Sequence, residues 1–193
     1  MKQILVGIFS LIILFASNPV EAGDRWSLEV RSSIASATQD LGDADLKKGT
    51  GLEGSVAYRL AQHVSAYLGW GWTHFSADQS FAGTDVDFEE TGYRFGMEYN
   101  HPLGNSKSNY MIQAGGIYNH IETENAKRDI TGDSGHGFGW QVGAGLGIPL
   151  GDRWHLRPSL RYSSLSREID IHGNKTAVDL TYLSAGIGLS LSL

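Results

Sequence analysis

Residues 139–148 read Gly-Trp-Gln-Val-Gly-Ala-Gly-Leu-Gly-Ile, and their strict alternation decides the fold class. Every second position from Trp140 to Ile148 is apolar, whereas the positions between them are glycine or, at one place, Gln141. Successive side chains of a β-strand point to opposite faces of a sheet. This period of two therefore predicts a strand with one apolar face and one face of small or polar residues.

The same alternation recurs eight times along the chain after residue 25, and no stretch has the periodicity of an amphipathic helix. The segments with this alternation are residues 26–34, 52–60, 64–73, 92–99, 110–119, 139–148, 154–163 and 182–193. A tilted β-strand needs about 9–11 residues to cross a bilayer. The sequence predicts an all-β protein: an eight-stranded antiparallel up-and-down transmembrane β-barrel.

The connections between these segments alternate in length, which supports the barrel and orients it. Short or moderate turns are predicted around residues 61–63, 100–108 and 151–152. Longer polar loops are predicted at residues 36–50, 76–89, 121–136 and 164–176. Short periplasmic turns and long extracellular loops are typical of outer-membrane barrels, and an even strand count puts both chain ends on the periplasmic side.

Residues 1–22 are predicted to be a cleavable signal peptide and not part of the barrel. Lys2 supplies a short basic region, residues 4–16 are largely apolar, and Val20-Glu21-Ala22 has the small-x-small pattern of a cleavage site. The apolar run is shorter than the ~20 residues of a membrane-spanning helix. The barrel domain is accordingly predicted over residues 23–193.

Alternation alone does not say whether the apolar face contacts lipid or a dry interior, as in a soluble lipocalin-type barrel. Two observations favour lipid. All six lysines lie outside the predicted strands, and the polar face is mostly glycine, serine and alanine. The large aromatic residues of the apolar face lie near strand ends, where they would form the two girdles at the bilayer interfaces. The predicted girdle residues are Trp26, Tyr58, Tyr99, Tyr110 and Trp154 at the short-turn end, and Trp70, Trp72, Tyr118, Trp140 and Tyr162 at the loop end.

The inward face carries nearly balanced charges, which predicts a lumen filled by ion pairs. The predicted network consists of Glu29, Arg31, Glu53, Arg59, Glu90, Arg94, Glu98, Arg157 and Arg161. Charges in a tight interior must pair, because an unpaired buried charge costs several kcal/mol. A gate or narrow pore is the functional alternative, although wide conduits have about 16–18 strands.

Composition narrows the function further. The chain has no cysteine and a formal net charge of −6, which excludes disulfides and thiolate metal sites and argues against a nucleic-acid partner. No cofactor motif is found. The loop carboxylates, such as Asp87 and Asp133, offer possible contacts for cations that bridge lipopolysaccharide. Without EF-hand spacing, however, no metal site is predicted.

An enzymatic interpretation rests on two short groupings. His63-Val64-Ser65 has a His-x-Ser spacing, as in lipid A deacylases, but lies at a periplasmic turn. His74, Ser76 and Asp78 occur together near an outer loop. Proximity in sequence is weak evidence for a catalytic set, so we expect the chain not to be an enzyme.

Residues 137–145 together with residues 152–157 and Arg161-Tyr162 resemble the penultimate hairpin of OmpA/OmpX-like barrel domains. The resemblance implies a monomeric barrel in the outer membrane of a Gram-negative bacterium, in contact with outer-membrane lipid and lipopolysaccharide. It also implies a non-enzymatic role in envelope integrity or adhesion, with the loops as the surface for a host or other extracellular ligand. A lipid A- or phospholipid-modifying enzyme and a narrow channel for small solutes are the alternatives.

Overall fold

The computed structural model describes residues 25–39, 41, 44, 46–80, 82–125, 127, 129–171 and 174–193. The predicted signal peptide lies outside these residues, so its assignment stays a prediction. Within the described part of the chain, no helix is long and apolar enough to span a membrane.

Nine β-strands account for the described secondary structure. They are β1 (Trp26–Ala37), β2 (Gly49–Ala61), β3 (Val64–Ser80), β4 (Gly83–Pro102), β5 (Asn109–Glu124), β6 (Ile130–Asp133), β7 (Gly137–Pro149), β8 (Trp154–Ile171) and β9 (Asn174–Ser192).

Eight of these strands form a closed antiparallel ring, which confirms the predicted fold. Each strand pairs with the next along the chain, and β5 pairs directly with β7. The ring closes between β1 and β9, where Ser27 is opposite Ser192 and Ala37 is opposite Tyr182. The short strand β6 lies above β7 in the same place in the barrel wall, between β5 and β8 at the loop end.

The lower part of the barrel, toward the short turns, has an apolar outside and a polar inside. Leu68, Ile112 and Ile187 are exposed on the outer surface. Arg31, Glu53 and other charged residues of the alternate positions are buried within the ring. This arrangement is the reverse of a soluble barrel and is the one expected of strands surrounded by lipid.

The predicted loops at residues 76–89 and 164–176 are wrong, because both regions are long hairpins that continue the strands. Ser80 pairs with Gly83, and the β8–β9 ladder runs to the pair Ile171 and Asn174. Beyond the aromatic residues at the loop end, the polar and apolar residues exchange faces. Inward positions such as Phe88 become apolar and buried, while outward positions such as Asp87 are polar. The polar residues of this outer face led to the loop prediction, although they form the solvent-exposed side of a strand.

The segment between β1 and β2, predicted as a polar loop, contributes apolar residues to the interior. Leu41 and Ala44 form a β-bridge with each other, and Leu46 bridges to Ala77 of β3. All three are buried in the same apolar cluster as Phe75. We call Leu41, Ala44 and Leu46 the cap residues. They cover the barrel interior at the loop end.

The lipid-facing assignment can be tested with one charge placed at mid-strand. Ile187 is 57% exposed and lies halfway between Leu183 and Leu191 on β9. Arginine at the bilayer midplane of a transmembrane barrel costs about 2–4 kcal/mol, so Ile187→Arg should lower the free energy of unfolding in phospholipid vesicles by that amount. The matched control is Ile130→Arg, since Ile130 is 59% exposed on β6 beyond the aromatic residues. Equal effects of the two substitutions would contradict a lipid-facing Ile187.

Candidate functional site

The first part of the site is a chain of charged side chains inside the barrel near the short-turn end. Arg157 of β8 lies 2.5 Å from Glu29 of β1 and 2.5 Å from Glu98 of β4. Glu98 also accepts a hydrogen bond from the Gln113 side chain at 2.5 Å. One arginine therefore joins three strands that are not neighbours in the ring, because each of these side chains points inward by strand alternation.

The chain continues upward through a second group. Arg161 donates to Gln113 at 3.1 Å and forms an ion pair with Glu53. Arg94 lies 3.4 Å from Glu53 and 2.9 Å from Glu90. The carboxylate of Glu53 is thus shared by two guanidinium groups. All four charged side chains are buried, so the charges compensate one another instead of meeting solvent.

The sequence interpretation missed the uncharged and uppermost members of this network. The Tyr182 hydroxyl donates to Glu90 at 2.5 Å and accepts from Arg94 at 3.0 Å. Asn119 donates to Glu90 at 2.7 Å and accepts a hydrogen bond from Arg167. Arg167 is in phase with Arg157 and Arg161 on β8. This spacing could have identified Arg167 as an inward-facing residue, but Arg167 was left out because residues 164–176 were predicted to be a loop.

Two of the residues predicted for the network, Arg59 and Arg31, do not form ion pairs in it. Arg59 is exposed at the short-turn end and makes no ion pair with any residue that the structure describes. Its inclusion in a buried network is wrong, because Arg59 lines the open cavity at the short-turn end, where its side chain is exposed. Arg31 is buried but donates to the hydroxyls of Ser159 and Ser184, at 3.0 and 3.3 Å, rather than to a carboxylate.

Inward glycines provide the space for these large side chains. A Cβ atom at Gly71 would lie 2.6 Å from Nε of Arg94, and one at Gly186 would lie 2.6 Å from Cζ of Arg31. Both separations are shorter than side-chain atoms tolerate, so an alanine would displace the guanidinium group. The glycine-rich face is therefore complementary to the charged residues across the lumen.

An apolar cluster fills the interior above the charged network. It contains the cap residues and side chains from most strands of the ring, and we call it the plug. Phe75 and Tyr182 pack edge to face at its lower boundary, with ring centroids 5.5 Å apart. The buried members are Ala35, Leu41, Ala44, Leu46, Phe75, Ala77, Val86, Phe88, Ile117, Ile121, Leu165, Ile169, Val178, Leu180 and Tyr182.

The predicted girdle residues lie on the outer face at two levels. At the short-turn end, Trp26 contacts Tyr58 with ring centroids 4.7 Å apart. At the loop end, Trp140 contacts Tyr162 at 5.5 Å. The sequence interpretation left out Tyr93, which pairs with both Trp70 and Tyr118 across the sheet and is exposed. The register places the remaining predicted members, Trp72, Tyr99, Tyr110 and Trp154, at these same two ends.

The remaining space inside the barrel is unevenly distributed. A cavity of about 390 Å³ opens at the short-turn end, where its lining includes Arg25, Arg59, His63 and His155. Its lining also includes Arg157 and Glu98, which are members of the network. Beside Arg31 and Tyr182, a second cavity offers about 10 Å³, roughly the space of one water molecule.

The residue groupings that raised an enzymatic interpretation do not assemble into a catalytic set. The Nδ1 atom of His63 contacts the backbone oxygen of Asn100 at 2.9 Å. His74 pairs with Asp87 at 3.2 Å, and Asp78 instead forms an ion pair with Lys47. Nucleophilic catalysis needs a base within hydrogen-bond reach of the nucleophile and a third group that orients it. Such an arrangement is absent among the described partners of these two histidines.

Comparison with known proteins places the chain in a family. The profile of the outer membrane protein beta-barrel domain matches residues 7–191. The structure is similar to that of the Neisserial surface protein A (NspA), with a TM-score of 0.64, 16% identity, and coverage of 87% of this chain and 97% of that one.

Similar folds are also found in outer membrane protein W of E. coli and OprG of Pseudomonas aeruginosa. Protein W has a TM-score of 0.61 and 12% identity, with 90% of this chain and all of that chain (100%) covered. OprG has a TM-score of 0.57 and 14% identity, with 88% and 97% covered. No curated protein matches the sequence. These comparisons confirm the predicted resemblance and the location, and the chain belongs to the outer membrane protein beta-barrel domain family of the bacterial outer membrane.

Proposed function

We propose that the protein is a closed, non-enzymatic barrel that serves a structural or surface-interaction role through its extracellular hairpins. The observation that carries this proposal is that two groups of side chains fill the lumen, one above the other. The charged network occupies the lower interior and the plug occupies the upper interior. A solute entering the cavity at the short-turn end meets Arg157, Glu98 and the shared carboxylate of Glu53 before it reaches the buried apolar side chains.

The hairpins are suited to contact because they are strands and not flexible loops. The β3–β4 and β8–β9 hairpins extend beyond the outer aromatic level and are braced by the plug on their inner side. A surface that is already ordered loses little conformational entropy when it binds a partner. NspA, which shares the fold, is named as a surface protein, and this supports an extracellular ligand or an envelope partner for the present chain.

Conductance separates a closed barrel from a channel. The full-length mature protein, reconstituted into planar bilayers, should give no discrete current steps above the protein-free baseline. A large bacterial porin reconstituted in parallel provides the positive control. Reproducible steps of uniform size from folded protein, verified by heat-modifiable gel migration, would contradict the proposal.

The lipid-modifying alternative is tested by lipid A composition. A strain that lacks the gene should have the same lipid A acyl pattern in mass spectrometry as its parent. A changed pattern that is restored by the wild-type gene would establish an enzymatic role.

A further inference from the structure

The outer surface at the loop end carries a cluster of side chains that could bind a metal ion, outside the charged network and the plug. His120 and Glu122 are two residues apart on β5 and therefore point to the same, outward face. Asp133 ends β6 and is the direct cross-strand partner of Glu122. The imidazole Nδ1 of His120 lies 3.3 Å from Oδ1 of Asp133 and 3.7 Å from Oε1 of Glu122.

These separations fit a tetrahedral metal centre. Zinc bonds of about 2.0–2.2 Å to nitrogen and oxygen place ligand atoms about 3.4 Å apart at the edges of a tetrahedron. One ligand atom from each of the three residues lies within 4.8 Å of the others. A small contraction on binding brings all three within reach of one ion.

A second imidazole stands beside the cluster. The exposed ring of His136, just before β7, is stacked on His120 with centroids 4.6 Å apart and planes 11° apart. The ring of His136 also packs against the ring of Tyr118, with centroids 5.3 Å apart. It is therefore available as a fourth donor after a rotation of its exposed ring.

The surrounding charges supply an independent reason for a cation. Across β4, β5 and β6, Glu89 is directly opposite Glu122, and Glu122 is directly opposite Asp133. Like charges in direct cross-strand pairs destabilise a sheet. Among the described residues, none of these three carboxylates has an ion pair with lysine or arginine. A bound dication would offset two of these three negative charges.

We propose that His120, Glu122, Asp133 and His136 form a binding site for a zinc-class divalent transition metal on the extracellular rim. Imidazole nitrogen favours zinc, copper or nickel over the hard cations calcium and magnesium, which prefer oxygen ligands throughout. The site goes beyond the proposed function, since it requires neither an extracellular ligand nor a closed lumen. Bound metal would tie β6 and the start of β7 to the end of β5.

Isothermal titration of the folded full-length barrel in detergent with Zn²⁺ tests the site. We expect one equivalent to bind with micromolar Kd, and Ca²⁺ or Mg²⁺ at the same concentration to give no comparable heat. His120→Gln and His136→Gln should each weaken Zn²⁺ binding by at least about tenfold, since losing even a partner that only orients a metal ligand typically costs about 10–100-fold in affinity. His101→Gln is the matched control, because His101 stacks on Tyr110 at the opposite end of the barrel.

A spectroscopic readout accompanies the titration. Co²⁺ bound by two imidazoles and two carboxylates should show the d–d absorption bands of a four-coordinate site, and these bands should be lost in both variants. Each variant is first shown to fold by heat-modifiable gel migration, and Asp133→Asn replaces any variant that fails this step. The proposal is overturned by the absence of one-to-one Zn²⁺ binding, or by retention of wild-type affinity when either histidine is replaced.

Discussion

Replacing Arg94 with methionine is expected to lower the free energy of unfolding by about 3–5 kcal/mol, the cost of removing one partner from a buried ion pair. Arg94 contacts Glu53, Glu90 and Gln141 in the middle of the lumen. Methionine fills similar volume but leaves Glu90 buried without a cation. The measurement is equilibrium urea unfolding in phospholipid vesicles, followed by tryptophan fluorescence.

Arg59→Met is the matched control for this experiment. It removes the same side chain from the exposed short-turn end, where surface substitutions change stability by only about 0.5 kcal/mol. Adding Glu90→Gln to Arg94→Met should recover part of the lost free energy of unfolding, since the buried Glu90 carboxylate that has lost its cation is removed. If Arg94→Met were as stable as Arg59→Met, the network would not hold the barrel together.

The second large effect is expected from Phe75→Ala in the plug. Phe75 is fully buried and packs against Tyr182. Removal of a buried phenylalanine ring costs about 3–5 kcal/mol through lost transfer energy and the cavity left behind. The same unfolding measurement reports this loss, and hydrogen exchange should show that protection falls most in the outer parts of β3 and β4.

Phe138→Ala provides the comparison for Phe75→Ala. Phe138 is 73% exposed on the outer surface, so its truncation leaves no internal cavity and should cost less than half as much. A larger effect at Phe138 than at Phe75 would mean that the upper interior does not pack as a core.

The barrel could be predicted from sequence because a membrane imposes one simple pattern on every strand. Trp140 to Ile148 illustrate this pattern, since lipid selects each outward position and the narrow lumen selects the glycines between them. The charged members of the network followed from the same alternation. Their pairing partners did not, because the choice of Glu53 as the shared partner of Arg94 and Arg161 depends on the relative stagger of strands that are not neighbours in the ring.

The upper third of the molecule was predicted incorrectly for one physical reason. Beyond the outer aromatic level the surroundings change from lipid to water. Outward-facing residues are therefore polar there, and inward-facing residues are apolar. Phe88 and Ile169 are buried there, whereas Asp87 and Glu168 lie on the wet side. A single rule applied along the whole chain assigns these residues to loops, and so it also missed Arg167, which lies at the level where the reversal occurs.

The cap residues have a consequence for how the exposed face of this protein can evolve. A surface segment can change in sequence without loss of stability only where its side chains are not part of the packed interior. Leu41, Ala44 and Leu46 are part of the hydrophobic interior, so substitutions there sacrifice stability. Sequence variation should therefore be concentrated at the tips of the β3–β4 and β5–β6 hairpins, whereas the three buried cap positions should remain apolar.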